Sequence, residues 1–428
     1  MTASDIEANP AALLTVAHGL RVRVVSAAAN LGANIDMMAL WPNNRTPTHL
    51  IACNEQGSAN VGVQRINLAT GAAEDIISSG LTSCDPVEIT SWGTIVIGEE
   101  NGANGRVFEI IDPLHTSGVT VTGAGASTTI SGADAANVAH RGALGQLSFE
   151  GMAVYPNGVV YFSDENRPGA SGGNPGGSQF KFIPSTLWSG GAPIANLASS
   201  PLAAGNLYGL RIGRNNSNSD YGWGNEFGRG QWISLGTSNN AAPLNLRALA
   251  ITNKLTSYYR PEDQDIDQQA MADGNVRFCG NNTGQDTATT SPNGDNHWGE
   301  TFCITDGTLT EAGANAAIPE YQPLVFGNKD FAMMDNIAYQ PGRGNWLIQE
   351  DGDGATWSPK RNNDVFDCLD DGDDADILSD ACVKVMTVND LDAETTGGVF
   401  DATGKRYFIS IQHNSSGHGV ILEVNGWK

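Results

Sequence analysis

Acidic residues mark both ends of a unit that recurs along the chain. In its clearest copy Glu150 opens a short apolar run, Pro156-Asn157-Gly158 supplies a hairpin turn, a β-branched and aromatic run follows, and Asp164 and Glu165 close it. The stretches from Asp335 to Glu350-Asp351 and from Glu394 to Gln412-His413 repeat the plan. Looser copies run from Asp36 to Glu55, from Cys84-Asp85 to Glu99-Glu100, and from Glu262 to about Asn281. Carboxylates gathered in this number suit hard cations bound through oxygen, Ca²⁺ first, with a smaller transition ion as companion. Without cations, a partly desolvated group of acids repels itself and takes up protons. The competing reading has these acids merely capping strands and solvating loops, yet scattered surface acids have no reason to recur in phase with a repeat.

The elements that must position them follow from the same unit. A further strand pair usually comes after it, as at Gly62 to Leu68, Gly105 to Ile111, Gln179 to Ile183 and Gly419 to Val424, so each repeat holds four strands. Six such repeats predict an all-β chain folded as a six-bladed β-propeller with long loop insertions. Residues 1–428 are expected to form one domain, with a lead-in strand in 1–30 and the six repeats in 31–428. In a blade the first strand starts beside the central channel and the second returns to the same face. The opening and closing acids should therefore ring one mouth of the tunnel, Asp36, Asp85, Asp335 and Asp351 among them.

Composition narrows the partners. Lys and Arg total 23 against 47 Asp and Glu, a net charge of −24, which repels phosphate backbones and anionic lipid and attracts cations. Nucleic acid is thereby excluded as a first choice. No apolar window reaches the eighteen or so residues of a membrane span, so no membrane insertion is expected. Only 16% of residues are charged while 52 are glycine, a balance typical of short strands joined by tight turns. The first residues lack the basic and apolar segments of a secretory signal. Six cysteines show no Cys-x-x-Cys spacing. Cys279 with Cys303 and Cys368 with Cys382 flank hydrophilic loops, either as local disulfides, which would fit an extracytoplasmic (periplasmic or secreted) home, or as buried thiols. A monomer is expected.

The fragments Thr90-Ser91-Trp92-Gly93-Thr94, Glu99-Glu100-Asn101, Ala143 to Glu150-Gly151, Tyr259-Arg260-Pro261-Glu262-Asp263, Met334-Asp335-Asn336 and Ile409 to His413 together resemble the PhoX-type alkaline phosphatases. They stand in that family's order from about residue 35 to the end. The resemblance implies a six-bladed propeller, exported already folded, that carries iron (Fe³⁺) and calcium and hydrolyses small phosphomonoesters. It implies Cys84 as the thiolate on iron, and Glu150 and Glu262 as carboxylates holding or bridging metals at the reaction itself. Glu55, Glu99, Glu100, Asp164 and Glu394 are the implied calcium ligands, Asp335 belongs to the same metal-binding rim, and Arg260 is the clamp on the substrate phosphate. A guanidinium offers planar paired donors to phosphate oxygens; read without the family, Arg260 could equally pair with Asp263 or Asp265. Cys84 could likewise be a buried thiol or a partner of Cys53.

Three departures from the family pattern stand out. The segment from Cys84 to Thr94 is one residue longer and lacks the family's glycines, Cys53-Asn54-Glu55 replaces Asn-His-Glu, and Phe149 precedes Glu150 where the family has histidine. A Cys53 to Cys84 disulfide would abolish an iron site. Two other functions compete with phosphatase: a noncatalytic, calcium-stabilised binding or surface propeller, and a metal-dependent lactonase or other esterase. Elsewhere, the acids between Asp364 and Asp380 lack full EF-hand spacing, Glu350-Asp351-Gly352-Asp353-Gly354 is a second calcium-loop candidate, and Gly169 to Gly173 matches a nucleophile elbow only in its letters. His413 closes the last repeat, where it would touch substrate or simply pack.

Overall fold

Short β-rich runs punctuated by glycine and asparagine turns fold into six four-stranded units. They are seen in a computed structural model that describes residues 1–27, 29–167, 176–213, 227–284, 298–352, 359–372 and 376–428. The innermost strands of blades 1 to 6 are Ile35–Trp41, Cys84–Ile89, Phe149–Val154, Pro261–Ile266, Met334–Tyr339 and Glu394–Phe400. Each pairs antiparallel with the second strand of its blade. Each also packs against the inner strand of the next blade, and the last packs against the first, so the ring closes around a central channel. The fold is the expected all-β propeller.

Closure uses the N-terminal residues twice. Arg21–Ser26 is the outermost strand of blade 6, beside Ile421–Asn425, while Leu14–Val16 pairs with Cys382–Val388 at the edge of blade 5. The lead-in is thus two strands in two blades. Blades 3 and 4 share a nine-stranded sheet because Gly228–Thr237 bridges Gly205–Ile212 and Glu320–Phe326.

Alternation along each strand sends apolar side chains into the joints between blades. Trp92, Phe149, Phe162 and Phe180 fill the joint between blades 2 and 3, and Tyr161, Phe278, Phe302 and Tyr321 the next one. Four further clusters fill the other joints. All six cysteines are paired, as Cys53–Cys84, Cys279–Cys303 and Cys368–Cys382. The last two are the local pairs expected from spacing. The first joins the second strand of blade 1 to the inner strand of blade 2. Among the described residues, no helix is long and apolar enough to cross a membrane.

Candidate active site

Backbone irregularity does the first part of the positioning. In blades 1 to 5 the pairing register jumps from Ile35 to Met38, Cys84 to Val87, Phe149 to Met152, Pro261 to Gln264 and Met334 to Ile337. Each jump is a β-bulge, two residues facing one, and a bulge re-aims a side chain. The first bulged residue is acidic every time: Asp36, Asp85, Glu150, Glu262 and Asp335. In blade 6 the jump lies between Thr396 and Val399, and Gly397 takes that place.

A second series sits just past the second strands. The backbone N–H of Glu55, Glu100, Glu165, Thr283 and Asp351 donates to the carbonyl of Asn34, Ser83, Ser148, Arg260 and Met333, respectively, at 2.7 to 3.1 Å. Four of those acceptors, Asn34, Ser83, Arg260 and Met333, hold φ between 44° and 54°, a conformation that costs energy in residues with a side chain. The two series meet at one mouth of the channel. There their acids line a cavity of about 460 Å³ with Arg260, Glu394, Gln412 and His413.

Of the residues expected at the site, Glu55, Glu100, Glu150, Glu262, Asp335, Glu394 and Arg260 line this cavity. Three do not. Glu99 and Asp164 end their second strands, one residue before the rim series, and in a strand a one-residue step reverses the side chain. Glu99 is buried against Arg106, Nε to Oε2 at 2.6 Å, and Asp164 accepts two hydrogen bonds from Arg247 at 2.6 and 2.8 Å. Glu350, at the same place in blade 5, pairs with Arg361 at 2.7 Å. These acids carry their own cations already, which corrects the expectation that Glu99 and Asp164 hold calcium. Cys84 is the third correction: its sulfur is bonded to Cys53 and buried among Val63, Val87 and Ile97, while Asp85 next to it faces the cavity.

Arg260 is the buried cation of the site. Its Nε donates to Glu165 Oε1 at 2.8 Å, and its Nη2 lies 3.0 Å from Glu262 Oε1 and 3.6 Å from Asp351 Oδ2, so its partners are not Asp263 or Asp265. Burial alone would lower its pKa, but Glu262, Glu165 and Asp351 outweigh that and raise it. Thr283 donates to Glu262 at 2.7 Å, and Gln412 donates to Glu55 at 2.8 Å and Asp36 at 3.3 Å. His413 Nε2 lies 3.3 Å from Glu394 Oε1. Lys360, Asn363 and Asp392 complete one side of the rim from loops that carry no sequence signal of the repeat.

The carboxyls are pushed towards their protonated forms. Burial, then Glu165, Glu55 and Glu262, raises Glu100 to about 9. Burial is also the largest cause of the upward shifts of Asp36, Asp85, Glu150, Glu262, Asp335 and Glu394, with neighbouring acids adding to it. Asp85 beside Glu150, and Asp351 beside Glu394, push those two buried carboxyls further up. Ligand oxygens of Asp85, Glu100 and Glu150 lie within 4.8 Å of one another, as do those of Asp335, Asp351 and Glu394. Asp85 Oδ1 and Glu394 Oε2 are buried with no hydrogen-bond partner. Two triads of oxygen donors with unsatisfied acceptors fit a hard cation; a disulfide sulfur does not fit thiolate-bound iron.

The peripheral candidates have other occupations. Asp364 binds Arg361, Lys384 and Thr387, and Asp370 binds Arg277. Asp353, Gly354, Asp373, Asp374 and the segment Gly169 to Gly173 lie outside the described residues.

Comparison with known proteins bears on this arrangement. The family model of alkaline phosphatase PhoX matches residues 87–415. No curated protein sequence matches the chain. The solved structure of Pseudomonas fluorescens PhoX in complex with vanadate, described as a transition state analogue, is 15% identical. It aligns over 97% of this chain and 96% of its own at a TM-score of 0.67, which shows a shared fold. A gluconolactonase from Xanthomonas campestris is 10% identical over 98% of this chain and 92% of its own, at a TM-score of 0.45. The calcium-binding protein regucalcin from Agrobacterium tumefaciens is 10% identical over 94% of this chain and 93% of its own, also at 0.45. Likeness at that level carries no functional weight.

Proposed function

The chain belongs to the PhoX alkaline phosphatase family, and from that membership we propose that it hydrolyses small phosphomonoesters at the acidic mouth of its channel with cations, calcium foremost, held among the carboxylates. The observation that carries this reading is Arg260, a buried guanidinium 3.0 Å from Glu262 in a cavity otherwise lined chiefly by acids. A phosphate dianion entering a mouth lined chiefly by carboxylates meets net repulsion. Cations bound among those carboxylates would supply charge neutralisation, a polarised phosphate oxygen and a more acidic water.

The chain's own residues do the rest. Glu150 and Glu262 are the carboxylates closest to the reaction, Glu150 within the donor cluster and Glu262 held by Thr283 and Arg260. Glu55, Glu100, Asp335 and Glu394 complete the cation-holding set. Arg260, held from three sides by acids, presents N–H donors to nonbridging oxygens, whose charge must be stabilised as the P–O bond breaks. We further propose a monomer with an extracytoplasmic home, the location being what the three disulfides support.

The test is turnover of p-nitrophenyl phosphate by calcium-loaded protein. Turnover that chelation abolishes and calcium restores is expected. Bound calcium without phosphate-ester turnover would favour the noncatalytic propeller instead, and lactone turnover alone would favour the lactonase.

A further inference from the structure

The six cysteines form three disulfides and leave no free thiol anywhere in the chain. Cys84, the residue the family resemblance offers as a soft ligand, turns into the apolar joint between blades 1 and 2. One step along the same strand, the bulge turns Asp85 into the cavity. Among the described residues, two groups of three carboxylates bring their oxygens together at this mouth, each built across a joint between blades. Asp85 and Glu100 of blade 2 meet Glu150 of blade 3; Asp335 and Asp351 of blade 5 meet Glu394 of blade 6. Arg260 reaches Asp351 of the second group but neither acid of the first that faces Asp85.

A second observation separates these groups from ordinary acidic clusters. Asp85 is 3% exposed and Glu394 6%, and in each one carboxylate oxygen has no hydrogen-bond partner. A buried acceptor left without a partner is costly, and a cation satisfies it. We propose that this chain holds at least two hard divalent cations, one at Asp85–Glu100–Glu150 and one at Asp335–Asp351–Glu394, and that Asp85 serves as a metal ligand where a thiolate on iron is expected. The centre is thus an all-oxygen one that selects calcium-like ions over thiolate-bound iron. The inference deepens the proposed function and rests on its placement of cations at this mouth.

The experiment uses the whole, disulfide-intact protein, stripped with chelator and titrated calorimetrically with calcium chloride alone. Two or more calcium ions should bind. Asp85→Asn and Asp351→Asn should each weaken a different site by about tenfold or more, in line with the loss of one ligand's worth of interaction. Metal analysis and absorption spectra of protein purified without chelator should show no sulfur-to-iron charge-transfer band. The Cys53→Ser/Cys84→Ser double variant should bind as much calcium as the parent, and a thiol assay on the unfolded parent, which does not depend on that variant folding, should find no free thiol. Calcium titrations unchanged in both carboxylate variants would overturn the proposal. So would stoichiometric iron with a charge-transfer band, or two free thiols in the parent. Phosphate-ester turnover is scored separately: calcium bound as described without turnover defeats the phosphatase reading and leaves this one, whereas turnover by a thiolate-iron protein does the reverse.

Discussion

At the scale of single residues, the site depends on which acids already have a cation. Glu99 and Asp164 are each held by an arginine, while Glu150 and the other rim acids face one another across the cavity with Arg260 as their buried cation. Glu150→Gln and Glu262→Gln should therefore each lower metal content and phosphate-ester turnover while leaving the far-ultraviolet circular dichroism nearly unchanged; full metal content and wild-type turnover in both would remove them from the site. Arg260→Ala should raise KM for p-nitrophenyl phosphate about 10- to 100-fold with calcium still bound, because a charge-assisted pair of hydrogen bonds is lost. Wild-type KM would exclude it as the clamp. Arg106→Ala acts differently. It strands Glu99 as an uncompensated buried charge, which costs about 3–5 kcal/mol, so denaturant melts should shift strongly while the folded fraction keeps its calcium. An unchanged melting midpoint would contradict the structural role.

At the scale of elements, the inner-strand bulge decides which acids reach the mouth. The bulge of blade 3 places Gly151 against the backbone of blade 4, where an added Cβ would sit 2.1 Å from the Gln264 nitrogen. Gly151→Val should therefore force the two inner strands apart, costing about 1–3 kcal/mol, and weaken calcium binding through the displaced Glu150. A variant as stable and as calcium-competent as the parent would show that this joint can yield. The same device explains what sequence reading recovered and what it missed. Glu150, Glu262 and Asp335 were legible as repeat openings, and they are bulge residues. Glu99 and Asp164 were also legible as repeat closings, but a bulge is invisible in the letters, and one residue of phase separates the rim from the arginine-paired face. Lys360 and Asp392 lie in loops, where neither period nor spacing marks them.

At the scale of the whole molecule, the ring concentrates buried acids, and that makes its stability depend on protons or cations. Burial, together with neighbouring acids, raises Asp265 to about 6, Asp263 to about 7 and Glu100 to about 9, and Glu350 rises to about 7 against the pull of Arg361. Unfolded carboxyls titrate near about 4. The metal-free folded state then binds more protons than the unfolded one from about pH 4 upward. The stability these acids contribute is complete below that window and is lost as pH climbs through their raised values. Thermal melts of chelator-treated protein should accordingly fall between pH 5 and pH 9, and calcium should raise the midpoint most at the alkaline end, where it no longer competes with protons. A metal-free midpoint that stays level or rises across that range would contradict this account.

The order of strands, the sixfold recurrence and the acidic punctuation are local properties, so the amino-acid sequence alone determined the propeller, its acidic mouth and most of the carboxylates that line it. What only the tertiary structure decided is orientation across joints between blades. Cys53 and Cys84 stand 31 residues apart and meet because blades 1 and 2 pack together, and Asp85, Glu100 and Glu150 converge because blade 3 packs on blade 2. Side-chain direction in a strand reverses with every residue, and a single bulge resets it. For that reason the choice between a sulfur and an oxygen at this mouth rests on backbone geometry that no residue type announces.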